Sequence, residues 1–337
     1  MPSSRSARQP LTRIRVTKVT TILVLALGFT AGVALSVGSV SVSFSDVVRA
    51  LFGDANLSTS TKTIVLDIRL PRILLAIIVG GGLSVAGVAF QAILRNPLAE
   101  PYILGISSGG TVGAMLAIGL SFGGLLMLPL SSFLGALIVT ILVYRLAHRH
   151  GRLDSTALLL SGIMVGAFVN AIILLFAALF NQEMRYTLLW LLGNLSTANL
   201  SQVAVVVPVV LLSAGILFFL APQFNLIATG DETAEQLGVD VARIRRLSYL
   251  LGSLVTGVVV SVSGVIGFVG LIIPHICRLS LGPDHRLLFP ASFLFGGIFL
   301  LWADVISRTV IAPTEIPVGV ITAAIGAPLF VYLLRRG

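Results

Sequence analysis

The chain has 337 residues, 56% of them hydrophobic and only 10% charged, and carries 22 Lys and Arg against 13 Asp and Glu for a formal net charge of +9. A soluble domain is about 25% charged, so this deficit excludes a water-covered globular enzyme and requires most of the surface to face lipid. The positive excess does not point to nucleic acid, because no basic patch is interleaved with aromatics on which bases could stack, and the single cysteine, Cys277, excludes an internal disulfide and any multi-cysteine metal site.

A spanning helix needs roughly 20 apolar residues. The first such run, 19–37, follows a basic stretch with Arg5, Arg8, Arg13, Arg15 and Lys18. It is longer than a secretory signal core and further spans follow, so residues 1–18 read as a retained segment and 19–337 as one transmembrane domain. After a long connection, 38–67, rich in Ser, Thr and Asp, runs occur at 73–94, 102–120, 125–144, 157–180 and 203–220. Then come 247–266, 268–281, 287–306 and 316–334, giving about ten spans and an all-α polytopic fold. The 268–281 run is short and follows Gly264 and Gly267, as irregular helices of transporters do. Gly105, Gly109 and Gly113 form one small-residue stripe, and Gly82 and Ala86 another, as expected where helix backbones approach closely.

An even span count puts both termini on one side. Of the 22 basic residues, only Arg49, Lys62, Arg69, Arg72, Arg185 and Arg308 fall in the opposite loops, so the termini are expected to be cytoplasmic. The connection 223–246 then lies in the cytoplasm. Its early acids, Asp231 and Glu232, and Gly238 after the run predict a short helix, with a second one over 241–246.

Sliding the chain on itself by 177 residues lays 69–105 on 246–282 without gaps. Arg69/Arg246, Gly80/Gly257, Ser84/Ser261, Gly87/Gly264, Pro97/Pro274 and Gly105/Gly282 coincide. An odd number of spans separates the two segments, which makes them an inverted repeat, a common plan among transporters.

Neither lysine, Lys18 or Lys62, follows a glycine, so the chain has no P-loop. The ionisable residues within the spans are His275, Arg278 and Asp304. An ion-coupled transporter usually carries more intramembrane charge than this, and an intramembrane enzyme built on His275 and Asp304 would have no further partner in sequence. Both remain alternatives to a channel whose energy comes from a separate subunit.

Arg69-Leu70-Pro71-Arg72, Gln91, Asn96-Pro97-Leu98-Ala99-Glu100-Pro101 and the stretch from Gly267 to His275 closely resemble the permeases of ABC importers for ferric siderophores, haem and cobalamin. So do Asp284-His285-Arg286, Ala303-Asp304, Glu315-Ile316-Pro317-Val318-Gly319 and Gly326-Ala327-Pro328. The resemblance covers nearly the whole chain and implies a type II ABC importer permease fold of ten helices. It implies no catalysis and no cofactor or metal in this chain, with ATP and Mg on two partner ATPases at the cytoplasmic face. Further implied are a second permease copy, a periplasmic binding protein and an inner-membrane location.

By the same resemblance, Arg69, Arg72 and Arg308 meet carboxylates of the binding protein; the plainer alternatives are snorkelling to headgroups and, for Arg308, an i,i+4 pair with Asp304. Ser155 and Thr156 match the cytoplasmic gate, with Asn96, Pro97, Leu98 and Ala99 at a second narrowing, although Ser155 could equally be a helix N-cap. Asp154 stands where a small polar residue is expected. Glu232, Ala234, Gln236, Leu237 and Gly238, within 223–246, match the coupling helices that insert into the ATPase.

Overall fold

The computed structural model describes residues 12–120, 127–149, 152–179 and 191–336. Arg5, Arg8, Arg185 and the end of the run at 157–180 lie outside them. Among the described residues, seven helices are long and apolar enough to cross a membrane and three more are shorter, so ten stand where ten were expected.

Helix α1 (Arg13–Ser36) begins at Thr12, whose hydroxyl accepts from the Arg15 amide. The connection at 38–67 is not a plain loop. It holds α2 (Phe44–Leu51) and α3 (Thr59–Lys62), and α3 runs through a wide turn (Thr63–Arg69) directly into α4 (Leu70–Ile93). A 3-10 turn (Pro101–Leu104) precedes α5 (Ile106–Gly119), followed by α6 (Met127–Ala147). A ladder pairing His148 with Leu153 leads to α7 (Ser155–Leu179).

The second half holds α8 (Leu200–Phe219), the short α9 (Ala221–Ile227) and α10 (Asp231–Gln236), and α11 (Val241–Ser263). It ends with α12 (Val269–Leu281), α13 (His285–Ser307) and α14 (Val318–Arg336). Residues 241–246, expected as a separate surface helix, are instead the first turns of α11. Asp240 caps them by accepting from the Arg243 amide, so the polar turns and the apolar span form one unbroken helix.

Helix α4 is the centre of the bundle and is buried over almost its whole length. Without a hydrophobic effect between helix and lipid, association depends on close van der Waals packing. Gly80 lies against Gly296 of α13, and Gly87 against Gly270 of α12. Gly82 meets Val255 and Val259 of α11, while Phe90 meets Gly252, so numbers rise on one helix as they fall on the other. Helices α4 and α11 are therefore antiparallel, as the inverted repeat requires.

The repeat is not carried to the end. Helix α4 continues through Gly87, whereas its counterpart Gly264 ends α11 with φ +66°. The freed amides of Ile266 and Phe268 find acceptors in the Tyr102 hydroxyl (2.5 Å) and the Glu100 carboxylate (2.6 Å), so two donors released at the break are satisfied by the 100–102 segment. Buried backbone donors demand such partners. In the small-residue stripe, Gly109 and Gly113 pack against Gly135 and Ser131 of α6. Gly105 lies outside the stripe: it starts α5 in the left-handed conformation (φ +73°), against Gly162 and Gly166 of α7.

Candidate functional site

Charged and polar side chains gather at the two ends of the bundle. At the end expected from the charge bias to face outward, α1 terminates with the Ala34, Leu35 and Ser36 carbonyls unpaired within the helix, a negative pole that attracts cations. Three arginines converge there. Arg69 donates through Nη1 to Leu35 (2.5 Å) and Ser36 (3.0 Å) and through Nη2 to Val40. Arg308 donates through Nη2 to Ala34 (2.8 Å).

Arg72 donates from Nε to Asp304 Oδ1 (2.8 Å) and from Nη1 to both oxygens of Glu315 (3.1 and 2.8 Å). Arg308 Nε lies 3.3 Å from Asp304 Oδ2, a charge contact without the alignment of a hydrogen bond. The pairing of Arg308 with Asp304, open from sequence, is therefore present, but Arg72 makes the shorter contact. All three arginines are buried, at 4% (Arg69), 6% (Arg72) and 4% (Arg308) exposure, so none reaches out to headgroups. Asp304 is consumed by two guanidinium groups.

At the opposite end, expected to face inward, α10 is held by its acid. Asp231 pairs with Arg95, which follows α4, and with Arg245 of α11 (2.8 Å). Arg95 also donates to the Ile227 carbonyl (2.9 Å). Ala234 is buried under the helix, while Glu232 and Gln236 are exposed. Leu237 is 61% exposed, and Gly238 (φ +84°) turns the chain away. The helix thus ends in an exposed apolar side chain beside two ion pairs that tie its start to α11 and to the residue after α4.

Behind α10, the side-chain amide of Asn225 on α9 donates to Asp284 (2.8 Å), and its oxygen accepts from the His285 amide (2.9 Å). His285 also stacks on Phe224 at 5.5 Å. The segment carrying α10 is thereby fastened to the start of α13, whose other end holds Asp304. The hydrogen bonds from Arg286, opposed by partial burial and aided by Asn225, hold the Asp284 carboxyl at about 2, below its ordinary 3.8. A depressed carboxylate contributes stability that is complete above its unfolded value and lost as pH falls through the folded one. The melting-temperature gap between wild type and Asp284→Asn should accordingly stay constant from pH 5 to 8 and narrow as the pH falls from the ordinary 3.8 to about 2.

Of the expected gate residues, Ser155 is tied to the end of α4, a few residues before 96–99. Ser155 Oγ donates to the Ile93 carbonyl at the end of α4 (3.0 Å), which puts the start of α7 beside the turn at 96–99. The N-cap of α7 is not Ser155 but Asp154, whose carboxylate accepts from the Ala157 amide (2.6 Å). That capping duty accounts for an acid at this position. In the turn, Asn96 Oδ1 accepts from the Leu98 amide (2.9 Å); Pro97 and Leu98 are exposed and Ala99 is buried. Thr156 is exposed. Sequence reasoning named Glu315 and Glu100 only as parts of motifs, without the roles seen here, and did not single out Asn225; all three act on residues distant in the chain.

The FecCD transport family matches residues 23–336. The chain is 44% identical to the cobalamin import system permease protein BtuC of Halobacterium salinarum, over 82% of this chain and 74% of that one. It is 38% identical to the hemin transport system permease protein HmuU of Yersinia pestis, over 94% and 93%. A solved structure described as an inward-facing conformation of a transporter of the metal-chelate ABC type superposes with a TM-score of 0.85 at 32% identity, covering 95% of this chain and all of the other. With ten apolar helices in place and the family match spanning nearly all of them, the chain belongs to the FecCD transport family, the permeases that its motifs resemble.

Proposed function

We propose that this permease works as a homodimer in the bacterial inner membrane, with both termini in the cytoplasm, and imports an iron complex (ferric siderophore or haem) or cobalamin. Two ATPase subunits, binding ATP and Mg, drive it from below, and a periplasmic binding protein delivers the cargo from above. The chain breaks no bonds itself. Alternating access comes from closure of the ATPases, relayed through Glu232, Ala234, Gln236, Leu237 and Gly238, which opens and shuts the path at Ser155, Thr156 and Asn96 to Ala99.

The observation that carries this reading is the exposed Leu237 on a helix fixed by the Arg95–Asp231–Arg245 cluster. Removing a hot-spot residue from the centre of an interface costs about 2 kcal/mol or more, and Leu237 is proposed as such an anchor. Leu237→Asp should therefore lower ATPase association at least about 30-fold, while leaving the melting temperature of the permease alone unchanged. ATP-dependent uptake of labelled haem, ferric siderophore and cobalamin into proteoliposomes holding the full complex tests the whole reading. Uphill accumulation by the permease without the ATPase would refute it.

For the outer face, we assign docking to Arg69, Arg72 and Arg308, with the binding protein's carboxylates competing against Asp304 and Glu315. The half-exposed Glu315 is the weakest of these internal partners. Glu315→Gln is expected to tighten binding-protein affinity a few-fold at low salt, because Arg72 is left with one partner fewer. Unchanged or weaker affinity, measured by surface plasmon resonance, would count against a docking role for Arg72.

A further inference from the structure

An apolar groove of about 340 Å³ opens on the outside of the bundle, away from the outer and inner clusters. Thr20 and Val24 of α1, Gly215 of α8, and Pro290 and Phe293 of α13 are among its walls, with Val85 of α4 as its floor. Its volume lies in the range of ligand sites, roughly 300–1,000 Å³. Nothing in the described protein fills it: a Cβ placed on Gly215 would meet no atom within 4 Å. A glycine in the middle of a helix that packs against nothing keeps a surface recessed rather than bringing two helices together.

Two of the helices that wall the groove carry an arginine at their N-terminal ends, beyond its lining. On α1, Arg13, Thr17, Thr20 and Val24 fall at i, i+4, i+7 and i+11, so they share one face. On α13, Arg286, Pro290 and Phe293 repeat that spacing. Both stripes therefore run from the groove to an arginine at the helix end that borders the N-terminus. Both arginines are exposed. Arg286 gives Nε and Nη2 to Asp284, which leaves Nη1 for another acceptor.

We infer that this groove is a binding site for an anionic phospholipid, one acyl chain lying against Gly215 and the phosphate between Arg13 and Arg286. The chemistry selects this occupant over the others at hand. Residues 1–11 carry Arg5 and Arg8 among polar side chains and suit neither the apolar wall nor the two arginines. A second copy meeting this face by two-fold symmetry would set like charges against one another. A lipid with a net negative headgroup satisfies both ends at once. The inference needs only that Arg13 and Arg286 lie at one membrane boundary; it is independent of the cargo and of which side that boundary faces.

The test is native mass spectrometry of the permease purified from vesicles of equal phosphatidylglycerol and phosphatidylcholine. Wild type should retain phosphatidylglycerol in clear excess. The Arg13→Gln/Arg286→Gln pair should reduce that excess on the order of tenfold or more. Gly215→Leu, which has room for its side chain, should remove the bound lipid of either kind without lowering the melting temperature. Equal retention of the two lipids by wild type, retention untouched by Gly215→Leu, or a cross-link from residue 215 to a second copy would each overturn the assignment.

Discussion

Asp304→Ala is expected to lower stability by about 3–5 kcal/mol, the usual consequence of stripping a buried charge cluster of its central counter-ion. Asp304 is fully buried between Arg72 and Arg308, neither of which is exposed enough to recover its lost solvation from water. Arg72 would keep its contact with Glu315, whereas Arg308 would lose the carboxylate it touches and keep its bond to the Ala34 carbonyl. Arg69 and Arg308 also both bond the end of α1, so a loosened Arg308 frees that helix as well. Thermal unfolding of the detergent-solubilised protein measures the loss. The paired change Asp304→Leu with Arg308→Met should recover part of it, since an apolar replacement removes the uncompensated charge along with its partner. A single-variant loss below about 0.5 kcal/mol, typical of surface substitutions, would mean that water already reaches the cluster.

The second large effect is expected at Gly87. A Cβ there would fall 1.9 Å from the Gly270 carbonyl oxygen, which belongs to backbone and cannot swing aside. Helices α4 and α12 would have to separate, also pulling Gln91 from the Leu271 carbonyl it meets at 3.2 Å. Overpacking of this kind costs typically 1–3 kcal/mol. Gly28→Ala is the control, because a Cβ at Gly28 meets nothing within 4 Å and alanine favours a helix by about 1 kcal/mol. Opposite shifts in melting temperature for the two variants are the expected result. Matching shifts would mean that helix propensity, and not the α4–α12 contact, governs both sites.

The spans were legible in the sequence because insertion depends on a local property, the apolar length of each segment, and the helices recur within a few residues of the runs at 19–37 and 287–306. The connection 38–67 was harder, because its helices are polar on one side. Its signal was nonetheless there: Ser43 followed by Asp46 before Val47, Val48, Ala50 and Leu51 is a helix start, and Ser43 does accept from the Asp46 amide. The outer cluster was half legible. Asp304 and Arg308 are one helical turn apart and could be paired on paper, whereas Arg72 and Asp304 are separated by 232 residues. A separation of 168 residues likewise hid the role of Glu100, whose bond to Phe268 exists only because α11 breaks at Gly264. Reading Ser155 as a cap failed by one residue, since a Ser and an Asp in adjacent positions compete for the same amide.

The central position of α4 has a consequence for biogenesis. This helix leaves the ribosome long before the partners that cover it, since Asp304 follows Arg72 by 232 residues, a delay on the order of 10–50 s at ordinary rates of synthesis. During that interval its glycine-lined faces and the unneutralised Arg72 must be sheltered by the insertion machinery or by lipid. Truncated chains ending before α13 should thus be prime substrates for membrane quality-control proteases, even though α1, α4, α6, α7, α8 and α11 are long and apolar enough to cross the bilayer.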